Sequence, residues 1–131
     1  MTSTLSITCF YLVLLIAMYI PITLRVGGYR MRNKISLGDG GDAELLKRIR
    51  AHANFVETVP MAIFIIAVME LSGAGTGILH ALGLLLVLAR LSHYLQVAGF
   101  VKALPFRAGG MTATLFVYLL GGIWLATNVL F

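Results

Sequence analysis

The sequence predicts an all-α integral membrane protein, a bundle of four transmembrane helices. Of its 131 residues, 60% are hydrophobic and only 11% are charged, whereas soluble domains carry roughly 25% charged residues. The mean hydropathy of +0.96 is correspondingly high. A single cysteine, Cys9, excludes an intrachain disulfide. We therefore expect one membrane domain over residues 1–131.

The first and last helices follow from long uncharged runs at the two ends of the chain. Residues 5–24 form a run of 20 residues and residues 108–131 a run of 24, and about 20 apolar residues suffice to cross a bilayer. These runs predict helices over about 4–32 and 108–130. No basic residue precedes the first run and no small-residue cleavage site follows it, so we expect an uncleaved anchor.

The two middle helices cannot be built from apolar residues alone. Only 12 residues lie between Glu57 and Glu70, and only 12 lie between the loop residue Gly77 and Arg90, too few to cross a bilayer. Predicted helices over about 43–71 and 77–101 must therefore carry polar groups into the membrane, and such groups normally face protein or a wet cavity. Asp42 is the expected N-cap of the second helix.

Nine of the ten basic residues fall in or beside two of the loops, loop one between the first and second helices and loop three between the third and fourth. They are Arg25, Arg30, Arg32, Lys34, Lys47, Arg48, Arg50, Lys102 and Arg107. The positive-inside rule places both loops in the cytoplasm and both termini on the other side of the membrane. This placement accounts for the net charge of +5 without a nucleic-acid partner. Arg25, Lys34 and Lys102 are expected to contact anionic lipid head groups.

Polar residues form one stripe on each middle helix. The first stripe comprises Lys47, Arg50, Asn54 and Glu57, and the second comprises Arg90, His93 and Tyr94. Their spacings follow the 3.6-residue helical period. Two interpretations remain open, an interhelical pair such as Glu57 with Arg90 and a ligand site. The three histidines lack metal-binding spacing, so no metal site is expected.

The stretch from Arg48 to Pro60 resembles a known signature, R-A-H-x-N-x-x-E-x-x-P. This signature belongs to the second helix of the MAPEG family, the membrane-associated proteins in eicosanoid and glutathione metabolism. Residues 38–41, residues 89–93 and Arg107 with the following glycines support the likeness. The resemblance covers essentially the whole chain and is nearest to small members of the bacterial inner membrane.

The resemblance implies a homotrimer that binds glutathione, as co-substrate, at subunit interfaces near the cytoplasmic face. The implied glutathione-binding residues are Arg30, Arg50, Asn54, Glu57, His93 and Tyr94. Arg107 is similar to the arginine that holds the thiol as thiolate, with Lys102 as a rival, while Arg90 and His52 would belong to a supporting charge network. Val97 stands where the family has a tyrosine, and Tyr94 could replace that contact.

The implied activity is that of a membrane-bound glutathione-dependent transferase or peroxidase acting on hydrophobic electrophiles. A noncatalytic trimer that binds lipids or serves as a scaffold is the alternative. Both interpretations place the protein in the bacterial inner membrane, among membrane lipids.

Overall fold

The computed structural model describes residues 4–130, except for the side chain of Leu104, and confirms the predicted helical bundle. Helix α1 spans Ser6–Asn33, α2 spans Ala43–Leu71, α3 spans Thr76–Val97 and α4 spans Leu104–Leu125. A π-helical turn, Ala126–Leu130, continues α4. Each of the four is long and apolar enough to cross a membrane. No strand occurs within residues 4–130.

The boundaries of the third loop differ from the sequence prediction. Helix α3 ends at Val97 rather than near residue 101, because Gly99 takes a φ of 84° that interrupts the helix. Helix α4 begins at Leu104 rather than at residue 108, since Pro105 is compatible with the first turn of a helix. Arg107, predicted in the loop, therefore lies in the first turn of α4.

Asp42 caps α2, as the sequence predicts. Its Oδ1 accepts hydrogen bonds from the backbone N–H groups of Glu44 and Leu45, both at 2.9 Å. The Tyr29 hydroxyl donates to Oδ2 at 2.9 Å and ties the end of α1 to the same carboxylate. The Leu45 N–H first, and then the Tyr29 hydroxyl, hold the pKa of Asp42 below its ordinary value. Loop one is thus anchored where α2 begins.

Glu70 caps α1 at the opposite end of the bundle. Its carboxylate accepts from the backbone N–H groups of Ile7 at 2.9 Å and Thr8 at 2.7 Å, and from the Thr8 hydroxyl at 2.6 Å. Helix α1 has no capping side chain of its own, and its first N–H groups lack intrahelical acceptors. This carboxylate therefore has a structural role far from the basic loops.

The apolar core runs along the centre of the bundle. All four helices contribute to it, with Leu15, Ile66, Leu86 and Val117 almost completely buried. Helices α3 and α4 approach closely at Gly110, where an added Cβ would lie 2.5 Å from the Ala89 carbonyl oxygen. This close approach brings the backbone of α4 to the polar stripe of α3.

Candidate functional site

Arg90 lies at the centre of a buried polar network that joins three helices. Its side chain is 1% exposed. Nη1 donates to Asn54 Oδ1 at 2.8 Å and to Thr58 Oγ1 at 3.0 Å. Nη2 donates to the carbonyl oxygen of Gly110 at 2.7 Å. The network thus links α2, α3 and α4 through neutral acceptors.

The interhelical pair of Glu57 with Arg90, one of the two interpretations of the stripes, is not formed. Glu57 is exposed on the surface of the protomer, whereas Arg90 is buried. Because glycine at position 110 lets α4 approach, a backbone carbonyl takes the place that a carboxylate would fill. The carboxylate of Glu57 is therefore left available to another group.

Hydroxyl groups extend the Arg90 network. Thr58 donates to the Asn54 carbonyl at 2.7 Å, Tyr118 donates to the Thr58 carbonyl at 2.5 Å, and Thr114 donates to the Gly110 carbonyl at 3.0 Å. Sequence reasoning missed these three residues. The threonines stand four positions after their acceptors, a spacing at which a hydroxyl commonly bonds to its own helix, but nothing in the spacing identified the tyrosine.

The network also fixes the orientation of the Asn54 side chain. A guanidinium group can only donate hydrogen bonds, so the amide oxygen must face Arg90. The Nδ2 group then points toward the Met111 sulfur, 4.0 Å away, and a thioether is a weak acceptor. Asn54 can consequently present an N–H donor to a ligand, held in place by Arg90.

Arg50 and Glu57 complete the stripe on the outer side of α2. Both are exposed in the protomer, and seven residues separate them, about 10 Å along a helix axis. Within residues 4–130 the one ion pair is that of Arg48 with Glu44, at 3.0 Å. Neither Arg50 nor Glu57 belongs to a buried charge pair inside a single protomer, so both can bind a group from outside it.

His93 lies inside the protomer, and Tyr94 is half-buried at its surface. His93 is buried beside Gly110. The hydroxyl of Tyr94 accepts a hydrogen bond from Arg25 Nη1 at 2.7 Å, and the Arg25 guanidinium lies 4.8 Å from the ring centre of Phe100. Arg25, expected to contact lipid head groups, packs against aromatic side chains of the same chain and is half-buried.

Arg30 and His52 each have a polar nitrogen without a partner among the described residues. These atoms are Nη1 of Arg30 and Nε2 of His52, and both are buried. The His52 ring lies 5.6 Å from the Tyr19 ring. The predicted charge network of His52 with Arg90 is not seen, because Arg90 bonds to the neutral groups described above.

Arg107 and Lys102, the rivals for the thiol, line the same pocket. This pocket, about 360 Å³ in volume, is also lined by Lys47, the first residue of the stripe on α2. All three cations are exposed. The structure thus brings Lys47 together with both candidates for the thiol contact. Because Lys102 and Arg107 line the same pocket, its geometry favours neither of them. No group of three or more potential metal ligands occurs in the described chain.

Four helices long enough and apolar enough to cross a membrane, joined by a buried polar network of α2, α3 and α4, define a multi-pass membrane protein. The sequence model of the MAPEG family matches residues 8–127. The chain is 36% identical over 122 residues to inner membrane protein YecN of Escherichia coli K12, covering 90% of this chain and 91% of that protein. YecN of Escherichia coli O6:H1 gives the same values.

The chain therefore belongs to the MAPEG family, which confirms the family predicted from the sequence. The name of the relative supports a location in an inner membrane, in agreement with the four membrane-crossing helices. The comparison with solved structures finds no significant match.

Proposed function

We propose that the protein is a glutathione-dependent transferase or peroxidase that acts on hydrophobic electrophiles as a homotrimer. The observation that carries the proposal is the stripe of Arg50, Asn54 and Glu57. It offers two charged groups without an intraprotomer ion pair and one amide donor held by Arg90. Membership of the MAPEG family supports the same proposal.

Glutathione matches this stripe in length and charge. A tripeptide spans at most about 10 Å when extended, and Arg50 and Glu57 are about 10 Å apart along the helix. The peptide carries two carboxylates, which guanidinium groups bind in bidentate fashion, and one ammonium, which a carboxylate can pair. Arg30, with one buried nitrogen lacking a protein partner, supplies a further cation.

Subunit contacts would also solve the problem of charge on the surface of the bundle. Glu57 is exposed at the midpoint of α2, fourteen residues from either end. A charged side chain inside the membrane costs at least about 2.5–3.5 kcal/mol, and such groups normally face protein or water. A neighbouring copy covering this face would exclude lipid from Glu57 and enclose the ligand.

The reaction requires a glutathione thiolate near Lys47, the first residue of the stripe. A cation close to sulfur lowers the pKa of a thiol and increases the fraction present as nucleophile. Arg107 is assigned this role. The thiolate attacks the electrophile, the carbon–sulfur bond forms with the sulfur electron pair, and the leaving group departs with the displaced pair.

An apolar groove between α1 and α2 supports a hydrophobic second substrate. Its volume is about 330 Å³ and its walls include Leu12, Tyr19, Val56 and Pro60. The same groove would serve the alternative function, a noncatalytic trimer that binds lipid. Turnover in the presence of glutathione separates the two functions.

We expect Glu57→Gln to weaken glutathione binding about 10- to 100-fold, because a hydrogen bond to a charged group contributes about 1.5–3 kcal/mol. Isothermal titration calorimetry of the purified protein in nonionic detergent measures the affinity for glutathione. Glu44→Gln is the matched control, since it makes the same change on the same helix at a partly exposed ion pair. Wild-type affinity in Glu57→Gln would show that the stripe is not the glutathione site.

Topology and assembly provide an independent test. With loops one and three in the cytoplasm, the C terminus should lie in the periplasm. A fused reporter that works only in the periplasm should therefore be active, and one that works only in the cytoplasm should be inactive. Native mass spectrometry should give a mass of three chains. A cytoplasmic C terminus would reverse the orientation, and a monomeric mass would remove the subunit-interface site.

A further inference from the structure

The guanidinium group of Arg25 joins α1 both to α3 and to loop three. Its Nη1 donates a hydrogen bond to the Tyr94 hydroxyl, near the end of α3, at 2.7 Å. Its Cζ lies 4.8 Å from the ring centre of Phe100, in loop three, within the range of a cation–π contact. Among the described residues, this is the one side-chain hydrogen bond between α1 and α3 at the end of the bundle that carries loop three.

Loop three, residues 98–103, is attached to α3 at its beginning. Gly99 has a φ of 84°. Its N–H donates to the Gln96 carbonyl at 3.0 Å, and the N–H of Phe100 donates to the Leu95 carbonyl at 2.9 Å. These two bonds form a Schellman motif. The motif fixes the backbone of Phe100 and turns its side chain away from the axis of α3.

The chain is attached to α3 again at Phe106, in the first turn of α4. Here the Ser92 hydroxyl donates to the Phe106 carbonyl at 2.8 Å. Lys102 lies between this attachment and Phe100, and Arg107 directly follows Phe106. Both cations line the pocket proposed to hold the thiol. The position of Phe100 therefore constrains the stretch of chain that carries them.

The ring of Phe100 depends on Arg25 for its position. It is 65% exposed, so burial against the rest of the chain contributes little to holding it. Arg25 is itself well held, because it is half-buried, it donates to Tyr94, and its backbone carbonyl accepts a hydrogen bond from Arg48 Nη1 at 3.4 Å. A fixed cation thus meets an exposed ring in the middle of loop three.

Arg25 acts through its neighbours rather than on a ligand inside the bundle. The gap that it lines between α1, α2 and α3 has a volume of about 10 Å³, room for no more than a single water molecule. A contact with lipid head groups would require only an exposed guanidinium, whereas this one is directed toward α3 and loop three.

We infer that Arg25 is a positioning residue that holds Phe100, and with it loop three, in the geometry that brings Lys102 and Arg107 to the thiol. We name its contacts with Tyr94 and Phe100 the loop-three clamp. The clamp consists of contacts within one protomer, and its consequence for turnover rests on the proposed function.

Tryptic cleavage after Lys102 tests the clamp without any need for activity. Lys102 is exposed, and proteolysis follows the population of opened chain. In glutathione-free nonionic detergent, with products quantified by mass spectrometry, we expect Arg25→Gln to be cleaved there about 10-fold faster than the wild type, or about 1.4 kcal/mol in the opening equilibrium. Cleavage after Lys34, exposed in loop one, is the internal control and should keep its rate.

Two further variants separate the clamp from a general loss of stability. Arg25→Lys keeps a cation and a donor, so it should restore most of the wild-type rate. Phe100→Leu should also speed cleavage after Lys102, and the double variant Arg25→Gln/Phe100→Leu should be no faster than Arg25→Gln, because both changes remove the same contact. The clamp is overturned by additive effects, by an unchanged rate after Lys102, or by an equal increase after Lys34.

The consequence for catalysis is a change in kcat without a change in KM. Arg25→Gln should lower kcat about 10-fold, since a small displacement of a catalytic group is costly, while the KM for glutathione stays near the wild-type value because Arg50, Asn54 and Glu57 are untouched. Arg25→Lys should recover most of the loss, and Arg32→Gln, at an exposed position of the same helix, should lose nothing.

The two sets of measurements distinguish failure of the clamp from failure of the proposed function. Faster cleavage of Arg25→Gln together with full turnover would show that loop three does not position the catalytic cation, which overturns the positioning role. A wild type without turnover would contradict the proposed function, and cleavage after Lys102 would then decide the clamp by itself.

Discussion

Arg107→Ala is expected to lower the turnover of a hydrophobic electrophile about 100- to 1,000-fold, the usual effect of removing one group that stabilises a developing or fixed anion. Glutathione affinity should fall far less, since Arg50, Asn54 and Glu57 still bind the peptide. A loss confined to turnover is the signature of an interaction made with the reacting atom. Stopped-flow absorbance of the thiolate in the ultraviolet and steady-state kinetics in nonionic detergent measure the two effects.

The pH profile distinguishes this role from a structural one. A cation lowers the thiol pKa, so turnover of the wild type should already be near its plateau at neutral pH. Without Arg107 the thiol returns toward its ordinary pKa of about 8.5, and residual turnover should rise as the pH passes through that value. Arg107→Lys should restore part of the wild-type profile, because it retains a cation.

Two further variants complete the experiment. Arg32→Ala removes an exposed cation outside the site and should keep full turnover. If Lys102→Ala abolishes turnover while Arg107→Ala remains active, Lys102 is the cation that stabilises the glutathione thiolate, and the assignment of Arg107 is wrong. If the wild type binds glutathione without a thiolate signal and without turnover, the noncatalytic alternative is correct.

The sequence was sufficient to predict the helices and the residues of the stripe. Uncharged runs define the outer spans, and the positions of Arg50, Asn54 and Glu57 follow the period of a helix whatever the packing around it. The cap at Asp42 was equally local, because its acceptor and donors lie within three residues. Local rules thus predicted these features correctly.

Partners across the bundle were not predictable in this way. A pair of Arg90 with Glu57 was one of two interpretations of the charges, yet in the structure Nη1 and Nη2 of Arg90 donate to Asn54, Thr58 and the backbone carbonyl of Gly110. Its Nε has no hydrogen-bond partner among the described residues. The choice depends on how closely α4 approaches α3, and a glycine in a sequence does not reveal which helix it contacts.

The same limitation applies to the aromatic and acidic residues. Tyr94 shares a face with His93 in the sequence pattern, but its hydroxyl accepts from Arg25 of another helix. Glu70 appeared only as a charge that shortened the apolar run of α2, whereas it caps α1. Both contacts join residues more than sixty positions apart, so helical periodicity carries no information about them.

The second large effect is expected at Arg90. Replacing it with alanine should lower the free energy of unfolding by roughly 2–5 kcal/mol, because the change leaves a cavity and removes three hydrogen bonds that join α2, α3 and α4. Thermal unfolding in detergent, followed by circular dichroism, should show a clear fall in Tm. Arg32→Ala, at an exposed position, is the control.

Arg90→Met separates packing from hydrogen bonding. Methionine fills most of the volume, and the other acceptors keep partners, since Thr58 still donates to the Asn54 carbonyl and Thr114 still donates to the Gly110 carbonyl. Thr58 Oγ1 and the Gly110 carbonyl each lose one donor but keep another hydrogen bond, so only Asn54 Oδ1 is left without a hydrogen-bond partner. Arg90→Met should therefore unfold at a higher temperature than Arg90→Ala, because replacing a buried charge with an apolar side chain of similar volume is often tolerated.

Glutathione binding tests the positioning role in the same variant. With Arg90 absent, the Asn54 amide can rotate and no longer presents Nδ2 to the ligand in a fixed orientation, so Arg90→Met should bind glutathione more weakly despite being folded. Wild-type affinity in folded Arg90→Met would show that the Asn54 donor does not depend on Arg90. Wild-type stability in Arg90→Ala would show that the three hydrogen bonds do not hold the bundle together.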